Sequence, residues 1–322
     1  MTSTTFDRKA EMNLPKPPAR RKRRIAKHLV HLFLLPALVF YVGFMIYPIF
    51  QALLNSLFAW KGLTRGPFIG LQNFVRLFTE TPFKETFVRA LGHNVTFFIG
   101  LVLTKLVVAF ILALLINSKI RGKELFKTLY FVPKLLSVIV VGFLFSLILN
   151  PTYGALNTLL AAIGLEGLAR PWLGDPHTAL YAIIIVNSWY GFGFAMLIFL
   201  VGLQAISQEV YEAARIDGAS GLKMIFTITL PLAMPSIMIM TILTFIGAFE
   251  TFELIYAMQG NNGAPYFSTD VLGLYFYRLT FGSVSGGESI GIGSALAVVL
   301  LVLISCATAV SMFFFKRREV EH

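Results

Sequence analysis

A single cysteine, Cys306, stands in the 322 residues, which excludes a disulfide frame and a cysteine metal site. The five histidines make no site; His28 and His31 share a helix face at a membrane entrance, as interfacial residues do. Charge is scarce at 13%, about half the ~25% of soluble domains. No Gly-x-x-x-x-Gly-Lys-Ser/Thr loop occurs, so nucleotide phosphates have no such cradle here. There is no nucleophile–base constellation for membrane-embedded catalysis. No repeat suggests the inverted halves of a secondary transporter. The apolar runs do not alternate with period two, which argues against a β-barrel.

What the chain has is apolar length: 57% of it is hydrophobic, in runs long enough to span a bilayer as helix. The fold class is all-α, an integral membrane protein with six transmembrane helices near 29–52, 94–116, 128–149, 179–203, 233–258 and 290–315. The first follows Arg20-Arg21-Lys22-Arg23-Arg24 but is too long for a signal-peptide core and lacks a small-residue cleavage site, so it reads as a retained span. Lys and Arg number 18 on the side of 1–28, 117–127, 204–231 and 316–322, against 7 on the side of 53–93, 150–178 and 260–289. Both termini and the 204–231 loop are therefore expected in the cytoplasm of a multi-pass plasma (inner) membrane protein. The organisation is a basic arm (1–28), a six-span body (29–315) and a short tail (316–322). The net charge of +11 calls for no nucleic acid; much of it is the arm, placed against anionic lipid.

Outside the spans, residues 71–78 read as a short amphipathic helix on the membrane face. An apolar helical stretch precedes Leu165, and Gln259-Gly260-Asn261-Asn262-Gly263-Ala264-Pro265 is a turn cluster. Asn94-Val95-Thr96 fits a glycosylation sequon but lies at a span end and carries no weight. Ser285-Gly286-Gly287-Glu288 is read as an outer glycine-rich turn.

The segment from Glu209 to Pro231 is polar and amphipathic between two apolar runs. Ser207 is placed to cap a short helix, with Glu209 in its first turn. Val210, Ala213 and Ala214 fall on one face, and Glu209, Glu212 and Arg215 on another. Adjacent alanines would let a partner approach the backbone. Asp217-Gly218 ends the helix, with Gly218 suited to a left-handed conformation. A helix lying on the bilayer is the other reading of this pattern.

Glu212-Ala213-Ala214, three residues, Gly218, nine residues and Ile228-x-Leu230-Pro231 resemble the cytoplasmic loop motif of ATP-binding-cassette importer permeases. Asn187 to Met196 resembles the fourth span of the carbohydrate branch, of maltose or glycerol-phosphate type, Phe252 to Met258 its fifth span, and Tyr275 to Phe281 the lead into its sixth. The resemblance covers most of residues 30–315 and implies a maltose-permease-like fold. Ser207 stands where proline is common, and Glu253 where aspartate is.

The resemblance implies a permease that performs no covalent chemistry and imports a sugar or oligosaccharide. Its partners would be a second, similar permease, two cytoplasmic ATPase subunits holding ATP and magnesium, and an extracytoplasmic solute-binding protein. Glu212, Ala213, Ala214, Asp217 and Gly218 would dock on an ATPase. The sugar would meet Tyr190, Gly191, Phe194, Thr244, Gly247, Ala248 and Thr251. Trp189 and Phe192 are further aromatics of the same stretch; interhelical packing is the other role open to all of these rings. Glu250 and Glu253, three apart, are expected on one helix face, with Glu250 lining the path or pairing with Lys105. Glycerol phosphate or a glycerophosphodiester is the alternative cargo, for which the spans offer only Lys105 and Lys134 as cations. An ion-coupled secondary transporter using Glu250 is the alternative mechanism.

Overall fold

The computed structural model describes residues 33–118, 120–282 and 289–316, without the side chains of 289 and 314–316. The basic arm, His28, His31, the 285–288 turn and nearly all of the 316–322 tail lie outside the described residues. The chain divides into two units, residues 1–51 and 52–322. In the first, the helix that begins at Phe33 loosens into a π turn over Val42–Ile46 and carries a Gln51 Nε2 to Tyr47 Oη hydrogen bond of 2.9 Å.

Among the described residues, four continuous helices are long and apolar enough to cross a bilayer: Phe33–Asn55, Phe83–Asn117, Ala179–Gln204 and Ile290–Phe313. Two further candidates are bent pairs. Lys123–Leu135 meets Val138–Ile148 at 93°, and Gly221–Leu232 meets Met234–Phe249 at 69°. The sequence supplies both breaks. Pro133 lies in the tight turn Val132–Leu135, after which Leu136 and Ser137 are extended. Pro231 and Pro235 flank the bend at Ala233, each removing a helical N–H.

Three expectations are corrected. The chain is not wholly α: Phe58–Lys61 and Thr64–Phe68 form an antiparallel hairpin, with Phe58 opposite Phe68. Phe58, Trp60 and Phe68 are the aromatic residues that favour a pleated surface. The helix expected from 94 starts at Phe83, so the outer loop is shorter than 53–93. The helix expected over 233–258 stops at Phe249 and resumes at Glu253–Gln259. The amphipathic helix near 71–78 is present as Gln72–Thr79, with Asn73 and Leu77 turned inward. The apolar stretch before Leu165 is the helix Ala155–Ala162.

Two apolar clusters hold the second unit together. One joins Phe97, Leu101, Ile183, Leu254, Leu272 and Ile292; the other packs Leu106, Ala109 and Ala113 against Ala195, Met196 and Phe199. Small residues permit the closest approaches. At Gly193 any side chain would run into the Tyr130 carbonyl, so this position sets the distance between Ala179–Gln204 and Lys123–Phe131.

Asn94, dismissed as a sequon, is fully buried and staples three elements. Its Nδ2 donates to the Ala248 carbonyl at 2.7 Å, and its Oδ1 accepts from the Leu272 amide at 2.8 Å. Replacing Asn94 by leucine leaves a buried carbonyl and a buried N–H unpaired, at roughly 1–3 kcal/mol each. We expect Asn94→Leu to lower the melting temperature of the detergent-purified protein measurably; an unchanged melting curve would show that the staple contributes nothing.

On the same side as this staple, Asp270 is buried with its carboxylate bridged by Arg278, Nη1 at 2.8 Å and Nη2 at 2.5 Å. Arg89 approaches it at 3.7 Å. Arg278 also donates to the Asn261 carbonyl at 2.9 Å, and the guanidinium groups of Arg89 and Arg278 both lie over the Phe267 ring. Together these contacts fix the 260–282 segment.

Candidate substrate cavity and docking helix

A cavity of about 650 Å³ opens between the spans. The helix Ala179–Gln204 presents Asn187, Tyr190, Gly191 and Phe194 to it, at i, i+3, i+4, i+7 spacing. Met234–Phe249 presents Met240, Leu243, Thr244 and Gly247 at the same spacing, continued by Glu250, Thr251 and Glu253. Lys105, Lys134 and Val138 close it from other elements.

The structure thus brings Tyr190, Gly191, Phe194, Thr244, Gly247, Thr251 and Glu250 to one cavity. Ala248 is not among them. It falls one residue off the lining stripe and is fully buried, its carbonyl held by Asn94. Trp189 and Phe192 also turn away, packing on Phe145 and Tyr130. Gly247 leaves open space where a side chain would stand, and Phe194 is 37% exposed. Thr244 is 1% exposed, and its Oγ1 has no hydrogen-bond partner among the described residues.

Glu250 and Glu253 do not share a helix face, because the helix ends between them. They meet at the cavity instead. Non-helical backbone at membrane depth is tolerated where it lines a polar space, and this break does so. Lys105 does not pair with Glu250: among the described residues no carboxylate lies within 4.0 Å of Lys105 or Lys134. Lys134 Nζ sits 4.3 Å from the centre of the Tyr190 ring, while Tyr190 Oη donates to the Leu136 carbonyl at 3.1 Å. One face of the ring expected to stack on sugar is therefore taken by an ammonium. The lining register on both helices was readable from spacing, and would have added Asn187, Met240 and Leu243.

The segment read as a docking element is the helix Gln208–Ile216 followed by Gly221–Leu232. Ser207 is extended at its start, as an N-cap residue is, but its hydroxyl makes no capping bond. Gly218 has φ +81°, the left-handed turn that glycine permits. Glu212, Ala213 and Asp217 are exposed, whereas Ala214 is buried within the chain and contributes to internal packing. Ile216 is 87% exposed beside them. After the Gly218 turn the helix resumes at Gly221 and leads through the bend at Ala233 to the cavity wall at Thr244 and Gly247.

Residues 105–320 match the family of binding-protein-dependent transport system inner membrane components. The chain is 36% identical over 298 residues to the probable ABC transporter permease protein YurN of Bacillus subtilis (strain 168), covering 92% of this chain and 98% of that one. It is 32% identical to the multiple sugar-binding transport system permease protein MsmF of Streptococcus mutans, over 89% and 95% of the two chains. Among solved structures it resembles a bacterial ABC transporter involved in the import of the acidic polysaccharide alginate. The TM-score is 0.77 at 25% identity, covering 94% of this chain and all of that one. With the family model matching two thirds of its length and these relatives nearly all of it, the chain belongs to the inner membrane components of binding-protein-dependent transport systems.

Proposed function

We propose that this chain is the permease subunit of an ATP-driven, binding-protein-dependent importer of a sugar or oligosaccharide. The observation that carries the reading is the cavity between the spans. Aromatic rings, an amide, hydroxyls and carboxylates converge there, as suits a carbohydrate with an apolar face and a hydroxyl rim. Relatives named for multiple sugars and for trehalose/maltose support the same class of cargo.

The chain spans the membrane six times, each bent pair counting as one span, with both termini in the cytoplasm of a bacterial or archaeal cell. A second permease completes the pathway. Two ATPase subunits holding ATP and magnesium lie on the cytoplasmic side, and one of them receives the Gln208–Ile216 helix and the turn after it, through Glu212, Ala213, Asp217 and Gly218. A binding protein delivers solute from outside; a structure similar to this chain is of an alginate ABC transporter in complex with an alginate pentasaccharide-bound periplasmic protein. Closure of the ATPases biases the spans between inward and outward access.

The test is uptake by the complete transporter with Phe194→Ala, Thr244→Val and Thr251→Val, singly and together. Each lost ring contact or hydroxyl bond is expected to weaken solute binding by about 1–3 kcal/mol. Uptake falls and the preference among related sugars shifts, while the complex still assembles. Unchanged uptake and preference in the triple variant would place the pocket elsewhere. An isolated chain that hydrolysed ATP would overturn the assignment of energy use to partner subunits.

A further inference from the structure

The cavity holds two ammonium groups, and among the described residues no carboxylate lies within 4.0 Å of either. Lys105 reaches it because Gly191 has no side chain: a methyl there would lie 3.0 Å from Lys105 Cδ and 3.9 Å from Nζ. Lys134 is held over the Tyr190 ring. The two cations thus flank the Tyr190-Gly191 step, one on each residue. Cations at membrane depth are costly and are normally paired. Glu250 and Glu253 line the same space, yet neither comes within 4.0 Å of either lysine. The buried Thr244 hydroxyl, without a partner, also borders the cavity.

We propose that the cavity takes a saccharide bearing an acidic group. The anion lies between Lys105 and Lys134, and the sugar hydroxyls donate to Glu250 and Glu253. An ionised carboxylate only accepts hydrogen bonds and a lysine ammonium only donates, so each kind of side chain has one complementary part of such a ligand. The arrangement also explains why both signs of charge persist unpaired on one cavity: the ligand inserts between them. Gly191 is a positioning residue, because its bare backbone gives Lys105 its route. The proposal rests on the sugar-import reading and narrows it.

The test uses the complete transporter, with its partner subunits, in lipid nanodiscs and without the binding protein. Weak binding is read by saturation-transfer NMR with matched probes: neutral galactobiose, digalacturonate, galactose 6-sulfate and galactose 6-phosphate. At least one acidic probe is expected to bind roughly tenfold or more tightly than galactobiose, and to weaken as salt rises. The three acidic arms distinguish carboxylate, sulfate and phosphate. Lys105→Gln with Lys134→Gln abolishes that preference, costing acidic binding roughly tenfold more than galactobiose binding, whereas Lys105→Arg with Lys134→Arg retains it. Gly191→Ala lowers acidic binding selectively by crowding Lys105. If galactobiose binds as well as every acidic probe, or if the double glutamine variant weakens neutral and acidic probes alike, the proposal is overturned. If no saccharide of either kind binds the assembled wild-type complex, the sugar-import reading itself falls.

Discussion

Transport should fall to background when Glu212 is replaced by lysine, and again when Gly218 is replaced by tryptophan, although both proteins still insert. Glu212 is exposed on Gln208–Ile216 and makes no ion pair among the described residues, so its charge is free for a partner. In the proposed complex, reversing it puts a positive charge on the docking face where the partner meets a negative one. Gly218 acts differently. At φ +81° a side chain costs about 1–2 kcal/mol of backbone strain. Among the described residues, a Cβ there meets nothing within 4 Å. The indole would therefore project outward, into the space assigned to an ATPase subunit in the proposed complex, and would leave internal packing alone. Uptake and co-purification of the ATPase subunits check both variants. Normal uptake in the two would remove the docking role.

Asp270→Ala is expected to destabilise the protein by about 3–5 kcal/mol. The carboxylate is buried, and its loss leaves the Arg278 guanidinium, 11% exposed, without its bidentate partner. Arg278 also ties down the Asn261 carbonyl and covers Phe267, so the damage spreads through the 260–282 segment. Removing both charges is a sharper measurement. Replacing a buried pair by apolar residues of similar volume is often near neutral, whereas stranding one partner is not. Asp270→Leu with Arg278→Met should thus recover much of the melting temperature lost in Asp270→Ala. A single variant as stable as the parent would show that the ion pair is not needed.

The family and the architecture were legible because membrane spans declare themselves by length and apolarity, and the 209–231 segment by a long run of residues that resembles a family motif. What the sequence concealed was curvature. Pro133, Pro231 and Pro235 stand in or beside apolar runs, and hydropathy alone does not say that the runs holding them bend by 93° and 69°. The break after Phe249 was harder still. Glu250-Thr251-Phe252 carries no glycine or proline; the break packs instead against Gly273 of another helix, where a Cβ would come within 2.8 Å of the Thr251 carbonyl. That tertiary contact, invisible in a local window, is why Glu250 and Glu253 were assigned one helix face. Ala248 and Ala214 were misplaced for a related reason. Small residues fit equally well on a lining or under a neighbour, and only packing decides. Asn94 was passed over because its partners, Ala248 and Leu272, lie more than 150 positions away in the chain.

The stretch of chain from Gln208 to Phe249, turned at Gly218 and bent at Ala233, has a thermodynamic consequence. One end meets the ATPase subunits in the proposed complex, and the other forms a wall of the cavity. If closure of the ATPases alters that wall, the two sites share a coupling free energy, and such coupling is reciprocal. The factor by which nucleotide-driven closure changes the cavity's affinity for solute must equal the factor by which solute changes the affinity for closure. The transporter can release its cargo inward only by making that cargo, in the same proportion, an antagonist of the nucleotide-closed state that admitted it or a promoter of the open state that follows. A ratio measured at one end of the run therefore fixes the ratio at the other, and any variant at the Ala233 bend that changes one must change both by the same amount.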